Sequence, residues 1–220
     1  MDILYGNDVV KAMSEQIKSE LDNLSGYIPN LAIVRVGERP DDLAYERGAV
    51  KRFEKLGLRC TVHSFAEDIG NQAFSFAFDD INNDNDVDGI LLLRPLPRHI
   101  DEKAITEMIN PIKDIDCISP MNMAKVFSSD DTGFAPCTAE AVMEMIAYAG
   151  VDLTGKRATV VGRSMVIGKP VAMMLMKKNA TVTVCHTRTV DMEGACKSAE
   201  VLVAAAGRAR MINHNYVSLG

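Results

Sequence analysis

Short apolar runs alternate with helical patterns along the chain, and this alternation limits the possible folds more than any other feature. Residues 31–36, 59–65, 89–93, 157–161, 180–185 and 201–205 have the length and apolar content of strands. Between them lie stretches with apolar residues at helical spacing. The first, 8–24, carries Val9, Val10, Met13, Ile17 and Leu21 on one stripe. The second, 40–56, is entered through Pro40-Asp41-Asp42 and stopped by Gly57. Others are expected at 71–81, 102–109, 138–148 and 170–177, whereas 119–136 reads as loop. Strands separated by helices predict parallel sheets covered on both faces. Ligands of such sheets sit beyond the carboxyl ends of the strands. The loops after Gly37 and after Leu93, where the third strand breaks at Pro95-Leu96-Pro97, are therefore the expected walls of a pocket.

Composition narrows the ligand class. The formal net charge of −6 argues against a nucleic-acid binder, which needs a concentrated basic face. No apolar run approaches the roughly 18–20 residues that cross a bilayer, and the first residues lack the basic and apolar regions of a secretory signal. Neither nucleic acid nor membrane is an expected partner. The 5 cysteines (Cys60, Cys117, Cys137, Cys185 and Cys196) are odd in number and show no CxxC pair, so a reducing cytoplasm is the expected compartment. His63, His99, His186 and His214 show no ligand spacing, so no metal site is proposed.

One segment carries a specific chemistry. Val160-Val161-Gly162-Arg163-Ser164-Met165-Val166-Ile167-Gly168-Lys169-Pro170 joins a strand to a helix. Glycines at such a turn let the backbone approach a pyrophosphate, and the helix start offers free N–H groups and a positive dipole. The spacing is not GxGxxG, so the loop is a weak signal alone and gains weight from the βαβ pattern around it. In NAD-specific folds an acid about 20 positions on accepts from the ribose 2′-OH. Here that position falls in Cys185-His186-Thr187-Arg188-Thr189, which has no acid. Hydroxyls, Arg188 and Arg163 suit a 2′-phosphate, which favours NADP over NAD. His186 is a further candidate contact.

These residues, with Ala180-Thr181-Val182-Thr183-Val184-Cys185-His186, Pro136-Cys137-Thr138, Lys113-Asp114-Ile115-Asp116, Pro95-Leu96-Pro97, and Val36-Gly37 followed by Tyr45, resemble the methylenetetrahydrofolate dehydrogenase/methenyltetrahydrofolate cyclohydrolase family. Several motifs in the right order make the resemblance specific, and it runs over essentially the whole chain. It implies an α/β protein of two domains: an N-terminal three-layer domain with a parallel sheet (1–137), holding a tetrahydrofolate substrate, and a Rossmann-like NADP-binding domain (138–220). It also implies a homodimer and a pocket between the domains. Tyr45 is similar to the tyrosine that stacks on the folate ring, and Asp116 to the aspartate that hydrogen-bonds the pterin. Gly162, Arg163, Ser164 and Gly168 match the cofactor loop, and Thr187 a place near the adenosine phosphate.

The sequence departs from this family at two polar positions. The lysine expected four residues after the tyrosine is Ala49, and the glutamine expected just before Pro-Leu-Pro falls at Leu93. Oxidising a methylene bridge between two nitrogens needs alignment rather than a protein acid or base. Hydrolysing the methenyl product needs a proton donor and acceptor, which alanine and leucine cannot supply. Lys51, Arg94 and Arg52 are poor substitutes by helix or strand geometry or by basicity, and Glu46 is the least implausible. The expectation is dehydrogenase retained and cyclohydrolase weak or absent. The chain also ends where the family continues with a further strand and a long helix, so a truncated sequence with an incomplete Rossmann domain is expected. Two other readings fit the residues: another two-domain NADP dehydrogenase acting on a small acid, and a non-catalytic or partner-dependent folate- and dinucleotide-binding protein.

Overall fold

The computed structural model describes residues 3–218 and divides the chain into two compact units, Tyr5–Met123 and the residues from Ala124 on. In the first unit the order is α1 (Gly6–Asp22), β1 (Asn30–Val36), α2 (Pro40–Leu56), β2 (Arg59–Phe65), α3 (Asn71–Asn83), β3 (Gly89–Leu92) and α4 (Glu102–Met108). Helix α5 (Pro120–Ser128) runs across the division. The second unit continues with α6 (Cys137–Tyr148), β4 (Arg157–Val161), α7 (Gly168–Lys177), β5 (Thr181–Cys185), α8 (Met192–Lys197) and β6 (Val201–Ala204), then one 3-10 turn at His214–Tyr216.

Both sheets are parallel and share one topology. The first is ordered β2-β1-β3 and the second β5-β4-β6, so each opening strand is flanked by the two that follow it. In the first sheet Ile33 lies opposite Val62 and Leu91. Strand β1 is buried at every position, and its side chains alternate between two cores. Ala32, Val34 and Val36 pack with Phe74, Phe78 and Ile105 from α3 and α4. Leu31 and Ile33 face α2 with Leu91 and Leu93. This gives three layers, helix on sheet on helix. The second sheet repeats the plan: Ala158 and Val160 pack against α6 and α7, while Val161 shares a core with Cys185 and with Cys196 of α8.

The stretch 119–136, expected to be loop, contains helix α5. Its start is built by Ser119, whose hydroxyl accepts from the Asn122 N–H at 3.1 Å, and by Pro120 at the first helical position, where a missing N–H costs nothing. A second unforeseen helix, α8, is capped by the Asp191 carboxylate accepting from Gly194 N at 2.8 Å. Both are short pieces with a side-chain cap. No helix among the described residues is long and apolar enough to cross a membrane.

Candidate active site

In the first unit, the loops leaving β1 and β3 meet at the carboxyl end of the sheet. Val36, Gly37 and Arg39 on one side and Pro95-Leu96-Pro97 on the other line a hollow of about 720 Å³, with Glu67, Asp68, Arg98 and His99 completing it. The Arg39 guanidinium ties the two loops: it donates to both Asp42 carboxylate oxygens at 2.8 and 2.7 Å and to the Arg94 carbonyl at 2.9 Å. The Arg94–Pro95 peptide bond is cis. Tyr45, Ala49, Leu93 and Asp116 are not part of this lining.

Those four lie elsewhere in the unit. Tyr45 is on α2 and 54% exposed, one turn before Ala49 on the same helix face. Ala49 and Leu93 belong to one apolar cluster with Leu31, Ile33, Leu91, Val50, Phe53, Cys60 and Ile115. The two positions where the family resemblance demands a lysine and a glutamine are therefore filled together by carbon, against the same core. Beside this cluster is an ion pair the sequence reading missed: Arg35 Nε donates to Glu46 at 2.7 Å, with the two side chains only 8% and 15% exposed. Arg35 also donates to the Gly37 carbonyl. Glu46, the least implausible substitute base, is thus held by a guanidinium. The available signal was Arg35 itself, a lone cation inside an apolar strand run that needs a partner once buried.

Asp116 is half-buried in the turn after α4. The backbone around it is set by Asp114, which is completely buried and accepts from Ile118 N, Ser119 N and Asn122 Nδ2 at 2.9, 2.9 and 3.0 Å. Asp114 is thus a structural hub that the sequence reading quoted without a role. Next to Asp116, Cys117 has a φ of 55°, a left-handed conformation that a side chain adopts at a cost of roughly 1–3 kcal/mol. Burial, with Asp114 and Asp116 nearby, pushes its thiol up to about 12.

In the second unit the sequence-predicted loop is built around its two glycines. Gly162 has a φ of 126°, and a Cβ there would run into the Ala205 backbone at the end of β6. A Cβ on Gly168 would run into the backbone of Gly162. The loop therefore closes on itself between β4 and β6, the place where the strand order reverses and where such sheets hold ligands. Ser164 Oγ accepts from Ile167 N at 3.1 Å and Gly168 N at 3.4 Å, which settles the start of α7. Residues 163–166 are exposed.

Strand β5 ends beside β4, with Cys185 opposite Val161, so the turn after it comes to the same sheet edge. There His186 N donates to Thr189 Oγ1 at 2.8 Å, and Arg188 N donates to His186 Nδ1 at 3.1 Å. His186 thus holds the turn, and Thr187 and Arg188 are exposed on it. The two neighbouring strand ends together present a bare backbone turn, Arg163, Thr187 and Arg188, with no acidic side chain between Val161 and Pro170 or from Cys185 to Thr189. Glycines whose Cβ positions are filled by backbone, followed by exposed cations, fit a phosphorylated dinucleotide.

Comparison with known proteins agrees with this geometry. A family model described as the tetrahydrofolate dehydrogenase/cyclohydrolase catalytic domain matches residues 4–116. The NAD(P)-binding domain of the same family matches residues 136–220. The chain is 46% identical to the bifunctional protein FolD of Clostridium kluyveri over 99% of its own length and 78% of that protein. It is 47% identical to the FolD of Clostridioides difficile, covering 77% of it. Among solved structures, the Trypanosoma brucei methylenetetrahydrofolate dehydrogenase-cyclohydrolase, complexed with NADP cofactor and inhibitor, superposes with a TM-score of 0.91 at 30% identity. That match covers all of this chain and 76% of the other. The Campylobacter jejuni bifunctional enzyme gives 0.89 at 33% identity, over 96% of this chain and 77% of its own.

Proposed function

The chain belongs to the tetrahydrofolate dehydrogenase/cyclohydrolase family, and from that premise we propose that it keeps the first of the two activities and has lost most of the second. It is an enzyme of folate one-carbon chemistry that oxidises 5,10-methylenetetrahydrofolate to the methenyl form with NADP. The observation that carries the split is the shared apolar cluster of Ala49 and Leu93.

The second unit supplies the cofactor's seat. The turn at Gly162 and Gly168 is packed too tightly against main chain to carry side chains, so it can offer bare backbone to a pyrophosphate, and Ser164 fixes the loop by accepting from Ile167 N and Gly168 N. Arg163, Thr187 and Arg188 stand where a 2′-phosphate can be paired, which favours NADP over NAD. Bound NADP supplies the hydride acceptor. In the first unit the exposed ring of Tyr45 stacks on the folate, and Asp116, held by the turn around Asp114, bonds the pterin. No residue has to move a proton in the oxidation, because a substrate nitrogen lone pair expels the hydride. The chain's part is alignment, which can supply roughly 7–11 kcal/mol.

Hydrolysis of the methenyl cation is different. Water must lose a proton and a ring nitrogen must gain one, work that typically contributes 10²–10⁴-fold. Carbon at positions 49 and 93 cannot do it, and the Glu46 carboxylate is engaged by Arg35 at 2.7 Å. The working form is taken to be a cytoplasmic homodimer, the compartment resting on an odd number of cysteines with no CxxC pair and the dimer on family resemblance. The test is a pair of assays on one purified sample. NADP reduction by methylenetetrahydrofolate should be robust, and conversion of methenyl- to formyl-tetrahydrofolate should stay near the uncatalysed rate. Comparable rates in the two assays would refute the split, and no NADP reduction with both ligands bound would favour a binding protein without catalysis.

A further inference from the structure

The loop that follows Leu93 is poor in backbone donors. Pro95 and Pro97 have no N–H, so only Arg94 and Leu96 can donate from the main chain between positions 94 and 97. Side chains from two helix starts take up what the loop offers. From the start of α2, the Arg39 guanidinium donates to the Arg94 carbonyl at 2.9 Å while its fork holds both oxygens of Asp42 at 2.8 and 2.7 Å. From the start of α4, Glu102 accepts from Leu96 N at 2.8 Å and pairs with the Arg94 guanidinium at 3.4 Å. The Asp42 carboxylate is buried, and a buried charge needs its partner. Asp42, Tyr45 and Ala49 follow one another at spacings of three and four residues, so they share one face of α2. On that face Ala49 packs in the same apolar cluster as Leu93, the residue before the loop. Arg39 therefore ties the start of the helix that carries Tyr45 to the loop after Leu93.

We propose that Arg39 is a positioning residue for the folate, setting the gap between Tyr45 and the loop after Leu93 before the substrate arrives. The inference rests on the folate reading above. Arg39 touches no reacting atom and acts through the placement of the two walls. A seat already in place binds without an ordering cost, whereas a seat populated about one time in ten binds about tenfold more weakly. A lysine at this position keeps a charge for Asp42. Its ammonium lacks the planar fork that serves two carboxylate oxygens and a carbonyl together.

The experiment measures KM for methylenetetrahydrofolate and for NADP in the unaltered protein and in Arg39→Gln. The folate KM should rise about tenfold, with the NADP KM unchanged and kcat changing much less. Mere loss of folded protein would lower the apparent kcat and leave both KM values where they were. Arg39→Lys should restore part of the folate KM. Arg59→Gln is the control, since Arg59 pairs with Asp86 at the opposite end of the sheet through a side chain 44% exposed, against 43% for Arg39. It should change neither KM. An unchanged folate KM in Arg39→Gln, or an equal rise in both KM values, overturns the proposal. Hydrogen exchange at Leu96 N–H reads the loop without turnover. It should quicken in Arg39→Gln and not in Arg59→Gln, and equal exchange in the two variants overturns the proposal. Failure of the unaltered protein to reduce NADP counts against the functional reading alone, and tetrahydrofolate affinity then replaces KM in the same comparison.

Discussion

The two sheets share strand direction and order, yet they carry chemistry in opposite ways. At the end of β4 the candidate cofactor seat is made of backbone, with Gly162 against Ala205 and Gly168 against Gly162. On α2 and just after β3 the positions matched to catalysis are side chains, and here they are alanine and leucine in one apolar cluster. A backbone-built site is hard to alter, since most substitutions would push a Cβ into main chain. A side-chain site can exchange its function while the sheet beneath it stays as it was. The pattern teaches that one topology can hold one activity tightly and leave another free to change.

The sharpest way to break this contrast is to put a side chain into the backbone-built seat. Gly162→Val adds a Cβ where the Ala205 backbone lies and forces a branched residue to a φ of 126°. Strain and overpacking together should cost about 4 kcal/mol, close to a thousandfold in NADP affinity. Folate binding to the first unit should persist. Fluorescence titration with NADPH and with tetrahydrofolate measures both, and undiminished NADPH affinity would show the turn to be no part of the cofactor seat.

The next test addresses what holds the side-chain site. Arg35→Leu leaves the Glu46 carboxylate 15% exposed with its guanidinium gone, and about 3 kcal/mol of stability should be lost in urea unfolding. Adding Glu46→Leu removes the stranded charge and should recover most of it. A double variant no better than the single one would show that the pair matters for more than mutual neutralisation.

Reinstating polar groups in the same cluster should then recover hydrolysis. Ala49→Lys with Leu93→Gln returns a titratable amine and an amide to this cluster, the amine one helical turn after Glu46 of the Arg35–Glu46 pair. A gain of about 100-fold in methenyltetrahydrofolate hydrolysis is expected, at the lower end for a positioned acid–base group. If the double change raises NADP reduction but not hydrolysis, the loss of the second activity lies elsewhere.

Much of this was legible in the chain because its signals were local. The ends of α2 were marked by Pro40 and Gly57, whose φ of 75° suits a helix stop, and strands β2 and β4 fell on their apolar runs. The glycine loop was legible for the same reason. Helix α5 was hidden because Ser119-Pro120 sat in a stretch with weak periodicity, although serine before proline is itself a start signal. The Arg35–Glu46 pair and the hub at Asp114 could not be read, since each depends on which strand face meets which helix. The contact between Gly162 and Ala205 spans 43 positions and appears only once β6 pairs with β4.

The smallest expected effect separates the hydroxyl that orders the loop from the side chain that reads the phosphate. Ser164 Oγ receives the N–H groups of Ile167 and Gly168, so Ser164→Ala should cost about 1 kcal/mol of stability through the lost loop hydrogen bonds. Because the hydroxyl is already engaged in holding the loop, its removal should act on NADP affinity mainly through loop order. NADP and NAD should then weaken by similar factors. Arg188→Gln, which removes an exposed charge and leaves the His186 turn intact, should instead weaken NADP alone. Parallel measurement of both cofactors on both variants distinguishes a turn that shapes the backbone from a side chain that reads the phosphate. Selective loss of NADP in Ser164→Ala would reverse the two assignments.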